Sequence, residues 1–287
     1  MASMRDIKRR KSSIQSTQQI TKAMKLVSTV KLQKAKLHAE ATDPYFNHMY
    51  RTVTSILAKS GNINHPYLQS GASDKIAVVV ITSNRGLAGG YNANVTKLIT
   101  NNQELLPKDK VEVYCIGSKG RETLDRYGYT IKEDHSAIME SPSYEDAAAV
   151  CARVLDAFTR GEIGEIYLAY THFKNTVVHV PQLMKLLPVE FSDEEIAAAD
   201  DKLIMNYEPN VEEALDLIIP KYVTSIFYGA LVEALASENG ARMQAMDSAT
   251  SNAEDMISDL SLKYNRARQG SITQELTEII AGAEAIS

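Results

Sequence analysis

The sequence predicts a protein of the α/β class, in which two long terminal helices form an antiparallel coiled coil and a small central domain contains a mainly parallel sheet. Three observations lead to this prediction. Helix-forming residues dominate both ends of the 287-residue chain. Short apolar runs alternate with helical patterns in the middle. Narrow apolar stripes with seven-residue spacing run along both terminal segments.

The N-terminal segment, from Met4 to about Leu57, is rich in Ala, Lys, Gln, Met and Leu and contains no glycine. Its only helix breaker is Pro44, which either kinks the helix or follows an N-cap at Thr42 or Asp43 that starts a second helix. The sequence leaves these two alternatives open. The Gly- and Pro-containing stretch 60–73 then ends the helix.

The middle segment, Asp74 to Val189, alternates between two kinds of pattern. Strand-like runs cover Ile76–Thr82, Val111–Ile116, Ile166–Thr171 and Thr176–Pro181. Helical patterns cover Ala93–Leu105, Ser118–Tyr127 and Tyr144–Phe158. Buried apolar strands that alternate with helices are typical of a sheet with mainly parallel strands.

The last segment, from Pro209 to Ile286, is helical again, with Pro220 and Gly229 as candidate kinks. Ser192 to Glu195 matches a capping box for a short helix before it. We therefore expect three parts: an N-terminal helix in residues 1–58, a Rossmann-like α/β domain in 74–190 and a C-terminal helix in 208–287.

Apolar spacing predicts which faces of the terminal helices meet. Seven-residue spacing links Ile7, Ile14 and Thr21. A second, 3-4 pattern links Ile20, Ala23, Val27 and Val30. In the last segment the sevenfold row is Val232, Asn239, Met246, Ala253, Leu260 and Ala267. Narrow stripes with polar flanks favour a two-stranded coiled coil over a globular core helix.

Helix lengths predict the register of this coiled coil. At ~1.5 Å per residue the first helix is about 80 Å long and the last about 115 Å. If both leave the central domain at the same level, Ile7 lies near Leu260, Ile14 near Ala253 and Thr21 near Met246. Everything after about Arg268 then has no partner helix in the chain. That tip is nevertheless apolar at Ile272, Leu276, Ile279, Ile280 and Ile286, so we expect another protein to cover it.

Composition excludes several classes of protein. No apolar run approaches the ~20 residues that span a bilayer. The basic N-terminus lacks the apolar core of a secretory signal, although its charge alone would also suit a mitochondrial transit peptide. Cys115 lies in an apolar run and Cys151 in an Ala-rich helix, so we expect two buried free thiols, which suits a reducing cytoplasm.

Charge is divided unevenly, although the net charge is only −5. The first forty residues carry ten Lys and Arg side chains against Asp6 and Glu40. Acids cluster downstream of Phe191. Such asymmetry indicates a partner surface, or one end of the chain that meets the other.

No motif builds an active site. SNRGLAGGYN (Ser83–Asn92) follows a strand and opens a helix, but its glycines do not match G-x-G-x-x-G, and no G-K-[ST] follows. A tight strand-to-helix turn is the expected role of this loop. The six histidines show no spacing of metal ligands, and no nucleophile elbow or Cys/His pair is present. We expect no catalytic residue, cofactor or metal.

Three segments resemble the gamma subunit of bacterial F-type ATP synthases: QITKAMKLVSTVKLQKA (Gln19–Ala35), ARMQAMDSATSNAEDMI (Ala241–Ile257) and ITQELTEIIAGA (Ile272–Ala283). The resemblance runs nearly end to end. The loop Ser83–Asn92 departs from it only in Asn84, usually Asp, and Ala88, often Cys. The inserted cysteine pair of the chloroplast type is absent from the sequence.

The resemblance implies a non-catalytic central rotor shaft that couples ion-driven rotation of a membrane ring to ATP synthesis or hydrolysis. The implied partners are three alpha and three beta subunits, the epsilon subunit and the rotor c ring, at the cytoplasmic face of the plasma membrane. Met24 and Lys25 would contact the acidic lever of beta, and Tyr207 and Glu208 the rotor ring. The implied polar catch is Arg242, Gln269, Thr273 and Glu275, and the apolar bearing is Ile279, Ile280 and Ala283.

Two other functions compete with this interpretation. The basic run Arg5–Lys11 would suit a coiled-coil adaptor that binds nucleic acid, which salt-dependent DNA binding would reveal. The α/β domain would suit a dinucleotide-dependent enzyme, which a thermal shift with NAD or ATP would reveal.

Overall fold

A computed structural model describes residues 4–60, 65–190 and 210–284. Two helices dominate them, α1 (Met4–Ser60) and α5 (Val211–Glu284). Between them lie β1 (Ile76–Ile81), α2 (Tyr91–Thr100), β2 (Val111–Ile116), α3 (Ser118–Arg126), β3 (Thr130–Asp134), α4 (Tyr144–Thr159), β4 (Glu165–Phe173) and β5 (His179–Leu187). The chain divides into two compact units, 1–28 with 243–287 and 29–242.

The five strands form one sheet in the order β3-β2-β1-β4-β5. β1 pairs in parallel with β2 and β4, and β2 pairs in parallel with β3. β5 pairs antiparallel with β4. The predicted mainly parallel sheet is confirmed. The structure adds β3, which the sequence analysis missed because its TIKED sequence is polar and its residues are exposed or half-buried. It also moves the last strand, expected at Thr176–Pro181, to His179–Leu187.

Helices cover both faces of the sheet within unit 29–242. Val78 and Val80 of β1 pack with Val95 and Ile99 of α2. Ala77, Val79 and Ile81 face the other way, into a larger core with α4 and residues from α1 and α5. Because successive strand residues point to opposite faces, the all-apolar β1 contributes to both cores. Within this unit, the sheet is the middle layer of three.

Both terminal helices run through a proline. α1 includes Pro44 and α5 includes Pro220. The alternative in which a second helix starts near Thr42 is therefore wrong. α5 begins at an N-cap, where the backbone N–H of Glu213 donates to Oδ1 of Asn210 at 2.8 Å. The capping box at Ser192–Glu195 lies outside the described residues.

An 18-residue stretch of α5 has a mean hydropathy of 1.4, long and apolar enough to cross a membrane. The expectation that no apolar stretch approaches that length is therefore wrong for α5. However, 56% of this stretch is buried inside the protein. Such burial is typical of a core helix, and α5 contributes Leu215, Ile219, Phe227 and Leu231 to the larger core.

In the unit formed by 1–28 and 243–287, α1 and α5 run antiparallel. Nε2 of Gln18 donates to Glu254 at 3.0 Å, the hydroxyls of Thr21 and Thr250 are 2.8 Å apart, and Lys25 pairs with Asp247 at 2.5 Å. The α5 partner number falls as the α1 number rises. Met246, Ala253 and Leu260 are buried, which confirms the sevenfold row of α5 in this unit.

The second apolar pattern of α1 is not part of the seam. Ile20, Val27 and Val30 are 60%, 58% and 66% exposed, so the prediction that this row is buried is wrong. Buried or half-buried residues recur instead at 7, 14, 21 and 28 and at 4, 11, 18 and 25. Both sets have seven-residue spacing, as the two seam positions of a coiled coil require.

The register differs by about one turn from the predicted one. Thr21 is opposite Thr250, four residues beyond Met246. The same offset moves Ile14 away from Ala253 and towards Ile257. Helix length alone does not determine the level at which each helix leaves the central domain, and the predicted register depends on that level.

We expect the variant Thr21→Cys with Thr250→Cys to form a disulfide within the chain on mild oxidation, because these side chains touch across the seam. Ile14→Cys with Ala253→Cys should cross-link far less, since these positions are displaced by a turn. Non-reducing electrophoresis of both variants measures the difference. More efficient cross-linking of the second pair would contradict the observed register.

Candidate functional site: the loop after β1 and the exposed faces of the terminal helices

The loop Ser83–Asn92 is a rigid turn at the end of β1. The hydroxyl of Ser83 donates to the carbonyl of Arg85 at 2.6 Å, and the amide of Asn92 donates to that same hydroxyl at 2.8 Å. Leu87 and Gly89 both have positive φ, 62° and 57°. The expected tight turn is found, with an exposed leucine at one of its two left-handed positions.

Asn84 ties this loop to two neighbouring segments. Its side-chain oxygen accepts from the backbone N–H of Ser118 at 3.0 Å, and its amide donates to the carbonyl of Ser136 at 2.8 Å. An Asp here would keep the first bond and lose the second, because a carboxylate cannot donate. Asn84 therefore joins the loop to the N-terminus of α3 and to the segment after β3.

The C-terminal helix lies across the end of the sheet next to this loop. The hydroxyl of Tyr91 donates to the carbonyl of Ala234 at 3.1 Å, and the hydroxyl of Ser237 donates to the carbonyl of Thr171 at 3.1 Å. β1 and β4 are parallel neighbours, but the chain continues from β1 to β2 on one side of this pair and from β4 to β5 on the other. α/β domains commonly bind ligands at the carboxyl ends of two such strands. Here α5 occupies that position.

Arg242 joins α5 to the loop. Its guanidinium contacts Glu238 at 2.7 Å and donates to the carbonyls of Arg85 and Gly86 at 3.3 and 3.4 Å. Both charged side chains of the pair are about nine-tenths buried. Burial raises the pKa of Glu238, although Arg242, Lys31 and Arg85 act in the opposite direction. Glu238 is not among the residues predicted from the sequence, although its four-residue spacing from Arg242 was a signal for this pair.

Of the other residues predicted from the resemblance, the two on α1 are half-buried, those on the last turns of α5 are exposed, and two lie beyond the described residues. Met24 is half-buried, and Lys25 forms its ion pair with Asp247. Gln269, Thr273, Glu275, Ile279, Ile280 and Ala283 are exposed on the last turns of α5. Tyr207 and Glu208 lie outside the described residues.

The tip of α5 is uncovered. Residues 272–283 are all exposed, and Ile279 and Ile280 are 67% and 64% exposed. Met4, the first described residue of α1, is level with about Arg268. Within the described part of the chain, the apolar tip is therefore exposed.

Neither a metal nor a reactive thiol is supported by the described residues. No group of three or more His, Cys, Asp or Glu side chains there could hold a metal ion. Cys115 and Cys151 are free and buried, as predicted. Burial raises the pKa of each thiol to about 12, so both remain protonated at neutral pH.

The model of the ATP synthase family matches residues 3–286, nearly the whole chain. The chain belongs to this family. Its relatives include the ATP synthase gamma chain of Lachnoclostridium phytofermentans, 66% identical with all of both chains covered. The gamma chain of Alkaliphilus metalliredigens is 46% identical over 99% of this chain and 98% of the relative. The gamma chain of Acetobacterium woodii, named as sodium ion specific, is 42% identical over 99% of both.

Solved structures show the same fold. A central stalk and c-ring structure of the Tetrahymena thermophila mitochondrial ATP synthase matches 80% of this chain and 99% of that one, at 25% identity and a TM-score of 0.57. A mitochondrial ATP synthase from Euglena gracilis matches 99% of this chain and 94% of its own, at 18% identity and a TM-score of 0.71.

These likenesses identify the central stalk of an ATP synthase and a non-catalytic subunit. They do not support the alternative of a nucleic-acid adaptor. The loop Ser83–Asn92 fits this conclusion, because it holds a helix of its own chain where a dinucleotide enzyme would hold its cofactor.

We expect the purified chain neither to hydrolyse ATP nor to bind it tightly. The loop lacks the lysine and hydroxyl of a phosphate-binding loop, and α5 fills the end of the sheet. Titration calorimetry with ATP and magnesium should show no heat beyond dilution. Micromolar affinity would contradict this interpretation of the loop.

Proposed function

We propose that the C-terminal tip of α5 turns as a bearing inside a ring of three alpha and three beta subunits. The exposed apolar tip, 272–283, carries this proposal. Exposure of apolar side chains to water is unfavourable. Burial of each isoleucine would therefore stabilise the complex by about 2 kcal/mol. A sleeve of apolar residues in the ring supplies the missing cover.

In this proposal the shaft works by selecting among conformations that the catalytic subunits already sample. Because the shaft presents a different face to each beta subunit, it stabilises a different state in each. Rotation moves these contacts in sequence around the ring and drives ATP synthesis. The reverse rotation accompanies hydrolysis.

The remaining partners follow from the same assignment. The α/β domain (74–190) would lie below the ring, beside the epsilon subunit and on the rotor c ring, and Tyr207 and Glu208 would contact that rotor ring. The complex would lie at the cytoplasmic face of the plasma membrane. Thr273, Gln269 and Glu275 would form a polar catch on the exposed surface of α5, outside the intrachain seam.

Reconstitution tests the bearing. The chain, or a variant with Ile279→Asn and Ile280→Asn, is mixed with purified alpha and beta subunits, and the assembled complex is measured by size-exclusion chromatography and ATPase rate. We expect the variant to assemble more weakly or to turn over more slowly. The matched control is Gln274→Asn with Glu278→Gln, two polar changes on the same turns. If the variant and the control assemble equally well and have equal ATPase rates, the proposal of an apolar bearing is wrong.

Lys25 provides a second test, on the proposed contact with the acidic lever of beta. Charge reversal of Lys25 to Glu should lower the coupling of ATP hydrolysis to ion transport more than reversal of Lys36, which pairs with Glu40 at 3.6 Å on α1. Since exposed pairs contribute only ~1 kcal/mol, high salt should reduce the difference.

An intrachain explanation must be separated from this one, because Lys25 also pairs with Asp247. Asp247→Asn breaks that pair and leaves the lysine positive. Coupling in Asp247→Asn should remain near the unmodified value. If coupling falls as far in Asp247→Asn as in Lys25→Glu, loss of the intrachain pair explains the effect, and no contact between Lys25 and beta is needed.

A further inference from the structure

The part of α5 that crosses the end of the sheet has small or polar side chains at its buried positions. Between 234 and 241 these are Ala234, Ala236, Ser237, Glu238, Asn239 and Gly240. Gly240 lies so close to β5 that an added Cβ would be 2.4 Å from Nε2 of His179. Small side chains allow a close approach but provide few large knobs to define how far the helix is rotated or shifted. Apolar packing alone therefore determines the position of this stretch weakly.

Polar contacts define the position instead. Tyr91, Ser237 and Arg242 each form a hydrogen bond between α5 and the sheet or its loop, and all three end on a specific carbonyl. A sliding helix would lose all three together. Hydrogen bonds of this kind require one geometry, whereas apolar contacts tolerate several.

The buried charges at Arg242 reinforce this requirement. The guanidinium uses one nitrogen for Glu238 and another for the two loop carbonyls. The positive charges of Lys31 and Arg85 also lower the pKa of Glu238, against the effect of its burial. Buried ion pairs contribute little net stability but penalise arrangements that separate them, because an unpaired buried charge is costly. Their best-supported use is to specify register.

We propose that Glu238, Arg242 and the loop 83–92 form a latch that holds α5 in one rotational and axial position on the sheet, so that torque passes from the sheet domain into the shaft without slip. Glu238 and Arg242 are positioning residues in this role. The proposal rests on the central-stalk function, and it assigns Arg242 to an intrachain contact and not to the catch on beta.

The latch is tested first in the free chain by hydrogen exchange. In Arg242→Gln the guanidinium fork is lost, and amides of the loop 83–92 should exchange at least about tenfold faster, while those of β2 stay unchanged. The matched control is Lys263→Gln, which removes an exposed ion pair with Asp259 on the same helix and should change neither segment. Unchanged loop exchange in Arg242→Gln overturns the latch.

The second arm measures coupling in membrane vesicles that contain the complete ATP synthase. Ions pumped per ATP hydrolysed should fall at least about twofold in Arg242→Gln, remain intermediate in Arg242→Lys, and match the unmodified chain in Lys263→Gln. If the loop exchanges faster in Arg242→Gln but the number of ions pumped per ATP is unchanged, the contact has only a structural role. The proposed role in transmitting torque would then be wrong.

Two further outcomes are covered by the design. If Arg242→Gln does not fold, Glu238→Gln replaces it, since that change keeps shape and hydrogen bonding but removes the buried carboxylate charge. If the unmodified chain itself restores no coupled activity, the proposed central-stalk function is wrong. The latch is then still tested by hydrogen exchange in the free chain.

Discussion

Amide exchange in the last turns of α5, residues 269–284, is expected to slow by at least a hundredfold when the chain joins an alpha-beta ring. In the free chain this stretch is a single exposed helix of fewer than twenty residues, and such helices are marginally stable in water. It should therefore fray, and its amides should exchange far faster than those around Ala253 in the seam. Enclosure of Ile279 and Ile280 would stabilise the helix and close its amides to solvent.

Hydrogen exchange with mass spectrometry on the free and assembled chain measures this change peptide by peptide. Peptides around Met246 and Ala253 are the internal control, because both residues are already buried in the seam and should change less. Protection of the tip before assembly would mean that it packs onto its own chain. The bearing proposal would then be wrong.

Gly117→Ala should destabilise the α/β unit more than a matched glycine substitution in the same unit. Gly117 follows β2 with φ of 102°, and an added Cβ would lie 2.0 Å from the carbonyl oxygen of Thr82 and 2.7 Å from its hydroxyl. An alanine here would be strained by the positive φ, and its methyl group would also clash with Thr82. We expect a loss on the order of 3 kcal/mol or more in the free energy of unfolding.

Gly128→Ala is the control for this change. Gly128 also has a positive φ, 80°, but no atom outside its immediate neighbours lies within 4 Å of an added Cβ. Its cost should be only about 1 kcal/mol, the conformational part alone. Urea unfolding of both variants isolates the contribution of the contact with Thr82. Equal losses in the free energy of unfolding would show that Thr82, at the end of β1, shifts at little cost to accommodate the methyl group.

The strongly apolar strands and the long helices could be predicted from sequence because each carries its own periodicity. IAVVVI and VEVYCI are apolar enough to be strands buried on both faces, and they pair as neighbours. TIKED could not be recognised in this way. It lies at the edge of the sheet, where polar residues are tolerated and the pattern no longer distinguishes a strand from a loop.

The faces of α1 show where periodicity is insufficient. Ile7, Ile14 and Thr21 have the spacing of a seam, and so do Ile20, Ala23, Val27 and Val30, yet only the first row is even half-buried. The spacing of apolar residues indicates that a helix face is apolar, but it does not indicate which element covers that face. The row of Ile20, Val27 and Val30 faces away from the seam and is exposed.

By itself the sequence determined the helix–sheet–helix order, the uncovered apolar tip and the lack of a phosphate-binding motif, because these depend on local composition and on length. The tertiary structure alone decided the one-turn register of the seam, the outward face of Ile20 and the ion pair between Glu238 and Arg242 that joins α5 to the loop after β1. These features join residues that are distant in the chain, and their geometry follows from how the whole core packs, which no local pattern records.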